Sequence, residues 1–295
     1  MATLRSFANA STEGALDVPT VRGRTLRDLR SYQMRFPLRS VVVDGLQWTY
    51  RRTPGRDAGQ TPMLLLPGIQ GGADVFFEVG LALADEIPLV AASAPDIEDV
   101  LKMTRALAGF VSAIKAPRAH FLGSSLGGYL VQSLALLRPD LIDQLIIANG
   151  FFDASATQAG MPPYSALAQM DAEVLVRQNL KSLMDGPDAD PGHVALKAAI
   201  AGLVGPTQTA ENYKSRVLLL MGAKPLAAPA VRAECIMLID DEEDPMVPPS
   251  MRNALRARFA HSEAHAIKGG GHLPAIQRAG DFIKLLRDRL CGDRS

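Results

Sequence analysis

The ten residues FLGSSLGGYL, positions 121–130, constrain the fold of this chain more than any other stretch. Gly123, Ser125 and Gly127 form the pattern G-x-S-x-G, with an apolar run before it and a segment of helical spacing after it. A serine at such a tight turn between a strand and a helix projects its hydroxyl away from the backbone at the end of a sheet. The stretch therefore predicts a strand–turn–helix unit in which Ser125 is a candidate nucleophile.

Ser124 is the neighbouring alternative, and its own flanks argue against it. With Ser124 at the centre, the positions two before and two after hold Leu122 and Leu126, which are too bulky for the turn. A serine hydroxyl becomes an effective nucleophile only when a base accepts its proton during attack. The rest of the chain must therefore supply a base and a group that orients it.

Short apolar runs alternate with helical segments on both sides of this turn. Runs such as residues 63–66 (MLLL) and 145–148 (LIIA) are continuous, which is typical of parallel strands buried on both faces. Before them, the sequence SVVVDGLQWTYRR predicts a hairpin that turns at Asp44-Gly45. The sequence therefore predicts an α/β fold with a mostly parallel central sheet flanked by helices.

The alternation stops after Phe151 and resumes after about Pro229, and the intervening stretch looks helical between turns rich in Gly and Pro. We therefore expect a core over residues 37–150 and 230–295, with a helical cap inserted over 151–229.

Residues 1–36 show no strong periodicity, and we expect them to form a partly ordered, solvated N-terminal arm. Seven arginines and only three acidic residues lie between Arg5 and Arg39. The alternative for this arginine-rich arm is a docking segment for an acidic protein partner or a membrane surface.

His272 is the candidate base among the five histidines of the chain. It follows KGGG, directly after the last predicted strand, so we expect it on a loop at the sheet edge where Ser125 is expected. The others lie in the strand before the turn, in the cap or beside the last strand: His120, His193, His261 and His265.

The orienting acid is expected between Ser125 and His272, at the end of another strand. The sequence IMLIDDEEDPMVPP supplies five acidic residues, most of which are expected to be solvated loop charges. Asp244 is favoured because it stands four residues past the strand and Pro245 fixes the turn that follows. Its role would be to orient His272 and to stabilise the imidazolium. Asp241 is the alternative.

Acyl transfer also needs hydrogen-bond donors for a developing oxyanion. The backbone N–H of Leu126 is one candidate, because it follows the nucleophile directly. The second is expected from Ile69 or Gln70, in the glycine-rich loop PGIQGG after the first core strand. The alternative is that this loop is a plain flexible turn.

Four residues of the cap segment are candidates for lining an apolar substrate pocket. The alternative is that they pack the cap against the core, as such residues commonly do. They are Phe151, Phe152, Met161 and Tyr164.

Charge and cysteine content argue against several other classes of protein. Lys and Arg together number 31, as do Asp and Glu, so the chain lacks the basic excess typical of nucleic-acid binding. Cys235 and Cys291 stand in no metal-ligand spacing and make no disulfide framework. With no signal peptide and no membrane-spanning run, we expect a soluble cytoplasmic protein without metal or cofactor.

Taken together, LLLPG, GSSLGG, EEDPMVP and GGGHLP in this order resemble the α/β-hydrolase superfamily over residues 37 to 290. The segments FPLRSVVVDG, ADVFFEV, HFLGSSLGGYLVQ and LIIANGFFD are similar to maspardin-like members of that superfamily. The resemblance implies either of two functions. One is that of a serine hydrolase; the other is that of a binding or adaptor protein, as maspardin is usually viewed, with an incomplete catalytic set.

The complete set of Ser125, Asp244 and His272 favours catalysis. We expect a serine hydrolase that forms an acyl-enzyme with a small-molecule ester, thioester, amide or lactone. A carbon–carbon bond hydrolase would use the same residues. A dehalogenase or epoxide hydrolase of this superfamily would carry Asp at position 125. The alternative is a non-catalytic maspardin-like binding protein.

Overall fold

The structure, a computed structural model, describes residues 16–57, 59–205 and 207–291. Its strands are β1 (Arg39–Val43), β2 (Leu46–Arg52), β3 (Met63–Leu66), β4 (Leu89–Ser93), β5 (Ala119–Ser124), β6 (Ile142–Ala148), β7 (Ile236–Asp240) and β8 (Glu263–Ala266). They form one sheet in the order β1-β2-β4-β3-β5-β6-β7-β8. β1 and β2 are antiparallel to their neighbours, and the pairs from β4 to β8 are parallel. The predicted fold class is confirmed.

Helices flank this sheet and follow most of its strands. They are α1 (Val18–Arg35), α2 (Phe77–Leu83), α3 (Val100–Ala113), α4 (Leu126–Leu137), α5 (Ser155–Ala159), α6 (Tyr164–Gln169), α7 (Ala172–Asp185), α8 (Pro191–Leu203), α9 (Ala210–Met221), α10 (Pro249–Arg258), α11 (Pro274–Gln277) and α12 (Ala279–Cys291). Among the helices of the described ranges, none is long and apolar enough to cross a membrane.

The continuous apolar strands are explained by burial on both faces of the sheet. Side chains alternate between the faces of a strand, so Leu64 and Leu65 of β3 belong to different core clusters. The cluster around Leu65 includes residues of α1, α2, α8 and α12, whereas that around Leu64 includes residues of α3, α4 and α10. Both faces of the central strands are therefore covered by helices. A site that solvent and substrate can reach must lie at the ends of these strands.

The hairpin predicted at Asp44-Gly45 joins β1 and β2. Both turn residues have positive φ, 50° and 77°. This conformation matches the twist of the flanking strands and is the reason that Asp-Gly favours two-residue hairpin turns.

The N-terminal segment differs from the expected solvated arm in its described part. Residues 18–35 form α1, which begins at the N-cap Asp17 and packs against α2 and α8. Leu29, Tyr32 and Phe36 are buried in the core cluster. These buried residues occupy only a narrow face of the helix, and the other faces are rich in arginine. The apolar periodicity is therefore too weak to predict a helix from the sequence. Residues 1–15 of the predicted arm lie outside the described residues.

Helices α5 to α9 occupy the segment predicted as a cap, and the boundaries 151–229 remain a proposal. The closing segment LPAIQRAGDFIKLLRDRL is two helices rather than one. Arg278, at φ −137° and ψ 51°, interrupts the helical backbone between α11 and α12.

Candidate active site

Ser125 occupies a sharp turn between β5 and α4. Its φ of 54° and ψ of −120° lie far from helical or extended values, and its N–H donates to the Ala148 carbonyl at 2.9 Å. The two glycines of the pattern are required by close contacts. A Cβ on Gly123 would lie 2.2 Å from the Gly127 carbonyl oxygen, and a Cβ on Gly127 would lie 2.2 Å from that of Leu66. The local sequence therefore permits a turn that larger residues would block.

Ser125, His272 and Asp244 meet at the C-terminal edge of the sheet. Nε2 of His272 lies 3.0 Å from Oγ of Ser125. Nδ1 of the same ring lies 3.1 Å and 3.0 Å from the two carboxylate oxygens of Asp244. When Nδ1 carries the proton that the carboxylate accepts, Nε2 has a free lone pair toward the serine hydroxyl.

Asp244 is buried, and backbone and side-chain donors surround its carboxylate. Oδ1 accepts from the N–H groups of Met246 and Val247 at 2.7 Å and 3.2 Å, and Oδ2 accepts from the Asn149 amide at 2.6 Å. Burial raises the pKa of Asp244, but the hydrogen bonds and charge of His272, with the donors from Asn149 and Met246, outweigh it and lower the pKa. The carboxylate is therefore ionised at neutral pH and can hold the imidazole in one orientation.

Asn149 is a site residue that the sequence reasoning missed. Besides Asp244, its Nδ2 donates to the Gly271 carbonyl at 2.8 Å, so one amide links the loops of Asp244 and His272. Its φ of 46° is left-handed, a conformation that Asn tolerates better than most residues. Its position in the sequence could have indicated this role. Asn149 is a polar residue directly after β6, at the sheet edge where the other candidate site residues lie.

Asp241, the alternative acid, contacts the histidine loop through the backbone. Its Oδ2 accepts from the Gly271 N–H at 2.6 Å, one residue before His272, and its Oδ1 accepts from Glu243 N–H. Asp244, and not Asp241, contacts the imidazole among the hydrogen bonds of the described residues.

Three of the remaining histidines pair with carboxylates elsewhere in the fold. His120 lies 3.0 Å from Asp143, His193 lies 3.2 Å from Asp190, and His265 lies 2.6 Å from Glu263.

The loop after β3 passes close beside Ser125. A Cβ on Gly68 would lie 2.9 Å from Cβ of Ser125 and 3.4 Å from its Oγ, so only glycine allows this approach. Leu126 is the first residue of α4, and its N–H is one of the helix-terminal donors that have no partner within the helix. The predicted donors Leu126, Ile69 and Gln70 thus belong to the two segments that adjoin the serine.

The four predicted pocket residues have varied surroundings. Phe151 is buried, with its ring 5.8 Å from that of Tyr129, and Met161 packs against both core clusters. The Arg258 guanidinium lies 3.6 Å over the ring of Phe152. Tyr164 is exposed and donates its hydroxyl to Glu98. The contacts of Phe151 and Met161 are those of packing residues, and a role of any of the four in substrate binding stays a prediction.

The comparisons with known proteins agree with this architecture. The model of the alpha/beta hydrolase family matches residues 63–285. The dihydrolipoyllysine-residue acetyltransferase component of the acetoin cleaving system from Cupriavidus necator is 25% identical over 279 residues, covering 85% of this chain and 68% of that protein. A thermophilic esterase from Thermogutta terrifontis, solved with malate bound, has a TM-score of 0.66 at 15% identity and covers 86% of this chain and 98% of its own.

Maspardin from Rattus norvegicus is 28% identical over 134 residues, or 43% of this chain. The match spans 51% of that relative, about half its length. The maspardin-like resemblance seen in the sequence is thereby confirmed. With a family match that extends from the first parallel strand into the last helix, the chain belongs to the alpha/beta hydrolase family.

Proposed function

We propose that this protein is a serine hydrolase that acts on a carboxylic ester, thioester or related acyl substrate. The observation that carries the proposal is the continuous contact from Ser125 through His272 to Asp244, with both links at 3.0 Å. These distances lie within the range in which a base can accept the proton of a nucleophile.

In the proposed reaction, Ser125 Oγ attacks the carbonyl carbon of the substrate while Nε2 of His272 takes its proton. Asp244 stays ionised, keeps the proton on Nδ1 and stabilises the imidazolium that forms. The carbonyl oxygen becomes an oxyanion, for which the N–H of Leu126 and one N–H of the loop after β3 are the proposed donors.

The tetrahedral intermediate then collapses as His272 returns its proton to the leaving group. This step gives an acyl-enzyme on Ser125. Water attacks the acyl-enzyme with His272 again as base, and the acid is released with the serine restored. Besides the substrate, the proposed cycle uses only residues of this chain and water.

The experiment that tests this proposal is labelling of the purified protein with a fluorophosphonate, which reacts with activated serines. We expect wild type to be labelled, Ser125→Ala to be unlabelled, and His272→Ala to react at least about 10³-fold more slowly. Ser124→Ala is the matched control and should react as wild type does. A folded wild-type protein that resists labelling would contradict the proposal.

The second candidate function is that of a maspardin-like binding or adaptor protein, and the similarity to maspardin favours it. Its test needs a partner surface that can be altered without unfolding the chain. Deletion of residues 1–36 is unsuitable, because it would remove the buried side of α1. Exposed arginines of that helix, such as Arg24 and Arg27, can instead be changed to Glu. Loss of a copurifying acidic partner, together with an unreactive wild-type serine, would favour this candidate.

A further inference from the structure

Arg216, on cap helix α9, is a buried cation. The residue is 3% exposed, and no carboxylate of the described residues forms a salt bridge with it. Burial lowers its pKa to about 10, and the charge of Asp96 acts in the opposite direction, so the guanidinium is charged at neutral pH. A buried charge of this kind is unfavourable unless its contacts stabilise it.

The contacts of Arg216 are backbone carbonyls of the loop beside Ser125. Its Nη1 donates to the oxygens of Gly68 and Gly71, at 2.9 Å and 2.8 Å. Gly68 is the residue whose added Cβ would lie 3.4 Å from Ser125 Oγ. The cation therefore acts on the proposed oxyanion loop from the side of the cap.

Gln208 is a second buried cap residue that holds the same loop. Its Nε2 donates to the Ile69 carbonyl at 2.8 Å, and its Oε1 accepts from the Gly71 N–H at 2.7 Å. Arg216 and Gln208 together thus hold the carbonyls of Gly68, Ile69 and Gly71 and the N–H of Gly71. This stretch of backbone has no regular hydrogen-bonding pattern of its own.

The hydrogen bond to Gly68 also fixes the direction of the next amide. No peptide bond among the described residues is cis, and in a trans peptide the N–H points opposite to the C=O. With the Gly68 oxygen directed at Arg216, the Ile69 N–H points away from the guanidinium. The charge also polarises this peptide and strengthens its N–H as a donor. Of the two candidate donors, only Ile69 shares a peptide with a carbonyl that this cation binds.

We propose that Arg216 is a positioning residue that aims the Ile69 N–H at the oxyanion formed on Ser125, in a loop that Gln208 also holds. Ile69 rather than Gln70 is then the second donor, beside Leu126. The inference rests on the proposed hydrolase function. Since Arg216 belongs to the predicted cap, the oxyanion site is complete only when the cap is docked.

The test compares the kinetics of fluorophosphonate labelling in Arg216→Met, Arg216→Lys and Lys197→Met. Lys197 is the control for loss of a buried cation of the cap, because it donates to the Gly186 carbonyl and to Asp188, both outside the loop. We expect the first-order labelling constant of Arg216→Met to fall at least tenfold with little change in probe affinity, and Lys197→Met to stay within twofold of wild type. Arg216→Lys should recover part of the rate because it keeps the charge.

A merely structural role predicts a different result. Fewer folded molecules would lower the final fraction labelled and leave the rate constant of the remainder unchanged. Wild-type rate constants in Arg216→Met would overturn the inference. Should Arg216→Met fail to fold, Arg216→Gln, which removes the charge but keeps a side-chain amide, is measured instead, and a wild-type rate constant there overturns the inference.

A crystal structure of Arg216→Met separates this inference from the proposed function. The inference expects the Gly68–Ile69 peptide to rotate when its carbonyl loses the guanidinium, whether or not the serine reacts. An unchanged peptide overturns it. If wild type resists labelling, the hydrolase proposal fails, and the orientation of this peptide alone decides whether Arg216 positions the loop.

Discussion

At the scale of single residues, Asp244 is the group on which the geometry of the site depends most. Its carboxylate is buried, so its charge persists only because donors from His272, Asn149 and the backbone of Met246 offset the loss of water. Asn149 is the only one of these that also donates to the Gly271 carbonyl, which fixes the loop before His272. Removing the Asn149 amide should therefore destabilise the negative charge of Asp244. It should also leave the His272 imidazole less firmly held in its position.

Asn149→Gly tests this dependence without straining the backbone, because glycine accepts the φ of 46°. We expect a loss of about 1–3 kcal/mol in the free energy of unfolding at pH 7, since Asp244 loses a donor in a buried site. Labelling by the fluorophosphonate should slow as well. Asp44→Gly, an exposed turn residue with φ 50°, is the control and should change stability by a few tenths of a kcal/mol.

The stability difference between wild type and Asn149→Gly should depend on pH in a defined direction. The folded pKa of Asp244 lies below the ordinary value of 3.8 for this group. Ionisation of this carboxyl therefore stabilises wild type fully above pH 3.8, and the stabilisation is lost as pH falls through the folded pKa. The difference should thus be largest near neutral pH and shrink as pH falls through this acidic range. Urea unfolding at pH 7 and pH 3 measures it, and a difference that grows at pH 3 would contradict the assignment.

The candidate site residues that the sequence predicted and those that only their contacts in the structure indicate differ in a physical way. Ser125 and His272 lie beside tight turns that require glycine, so a glycine pattern in the sequence marks both positions. Asp244 follows a predicted strand by four residues, which also marks it. Asn149, Gln208 and Arg216 act through contacts with residues distant in sequence. Such contacts depend on how the predicted cap and the loops pack in space, and a local sequence pattern cannot predict that packing.

At the scale of elements, α1 is where the sequence prediction was wrong. Leu29 and Tyr32 lie on its one buried stripe, and a Cβ added to Gly80 of α2 would lie only 2.2 Å from Cε2 of Tyr32. The ring therefore packs on the bare backbone of α2. A helix of this kind derives its stability from packing on the rest of the protein rather than from its own sequence, so weak periodicity does not exclude it.

Tyr32→Ala should accordingly destabilise the whole protein by about 3–5 kcal/mol, the range for removing a large buried aromatic ring. Met34→Ala, two residues along the same helix at a 76% exposed position, is the control and should stay within about 0.5 kcal/mol of wild type. Denaturant unfolding measures both. Equal, small effects would mean that residues 18–35 are a solvated arm after all.

At the scale of the whole molecule, helices of the predicted cap share one of the two hydrophobic core clusters with the sheet. A single cluster contains Leu29 of α1, Leu65 of β3, Ile200 of α8 and Tyr213 of α9. Helix α8 is buried along most of its length and packs against α1 and α11. Whatever the boundaries of the predicted cap, its helices α8 and α9 thus complete the core in space.

This shared core predicts that α8 and the sheet unfold together. Amide hydrogens of α8 and of β5 should exchange with free energies of opening that agree within about 1 kcal/mol, because neither can open without exposing the same cluster. The control is α5, a cap helix with no buried residue, whose amides should exchange far more readily. Native-state hydrogen exchange with peptide resolution measures all three. If α8 opens at a free energy several kcal/mol below that of β5, the cap is a separate folding unit, and cap docking could then vary independently of the core.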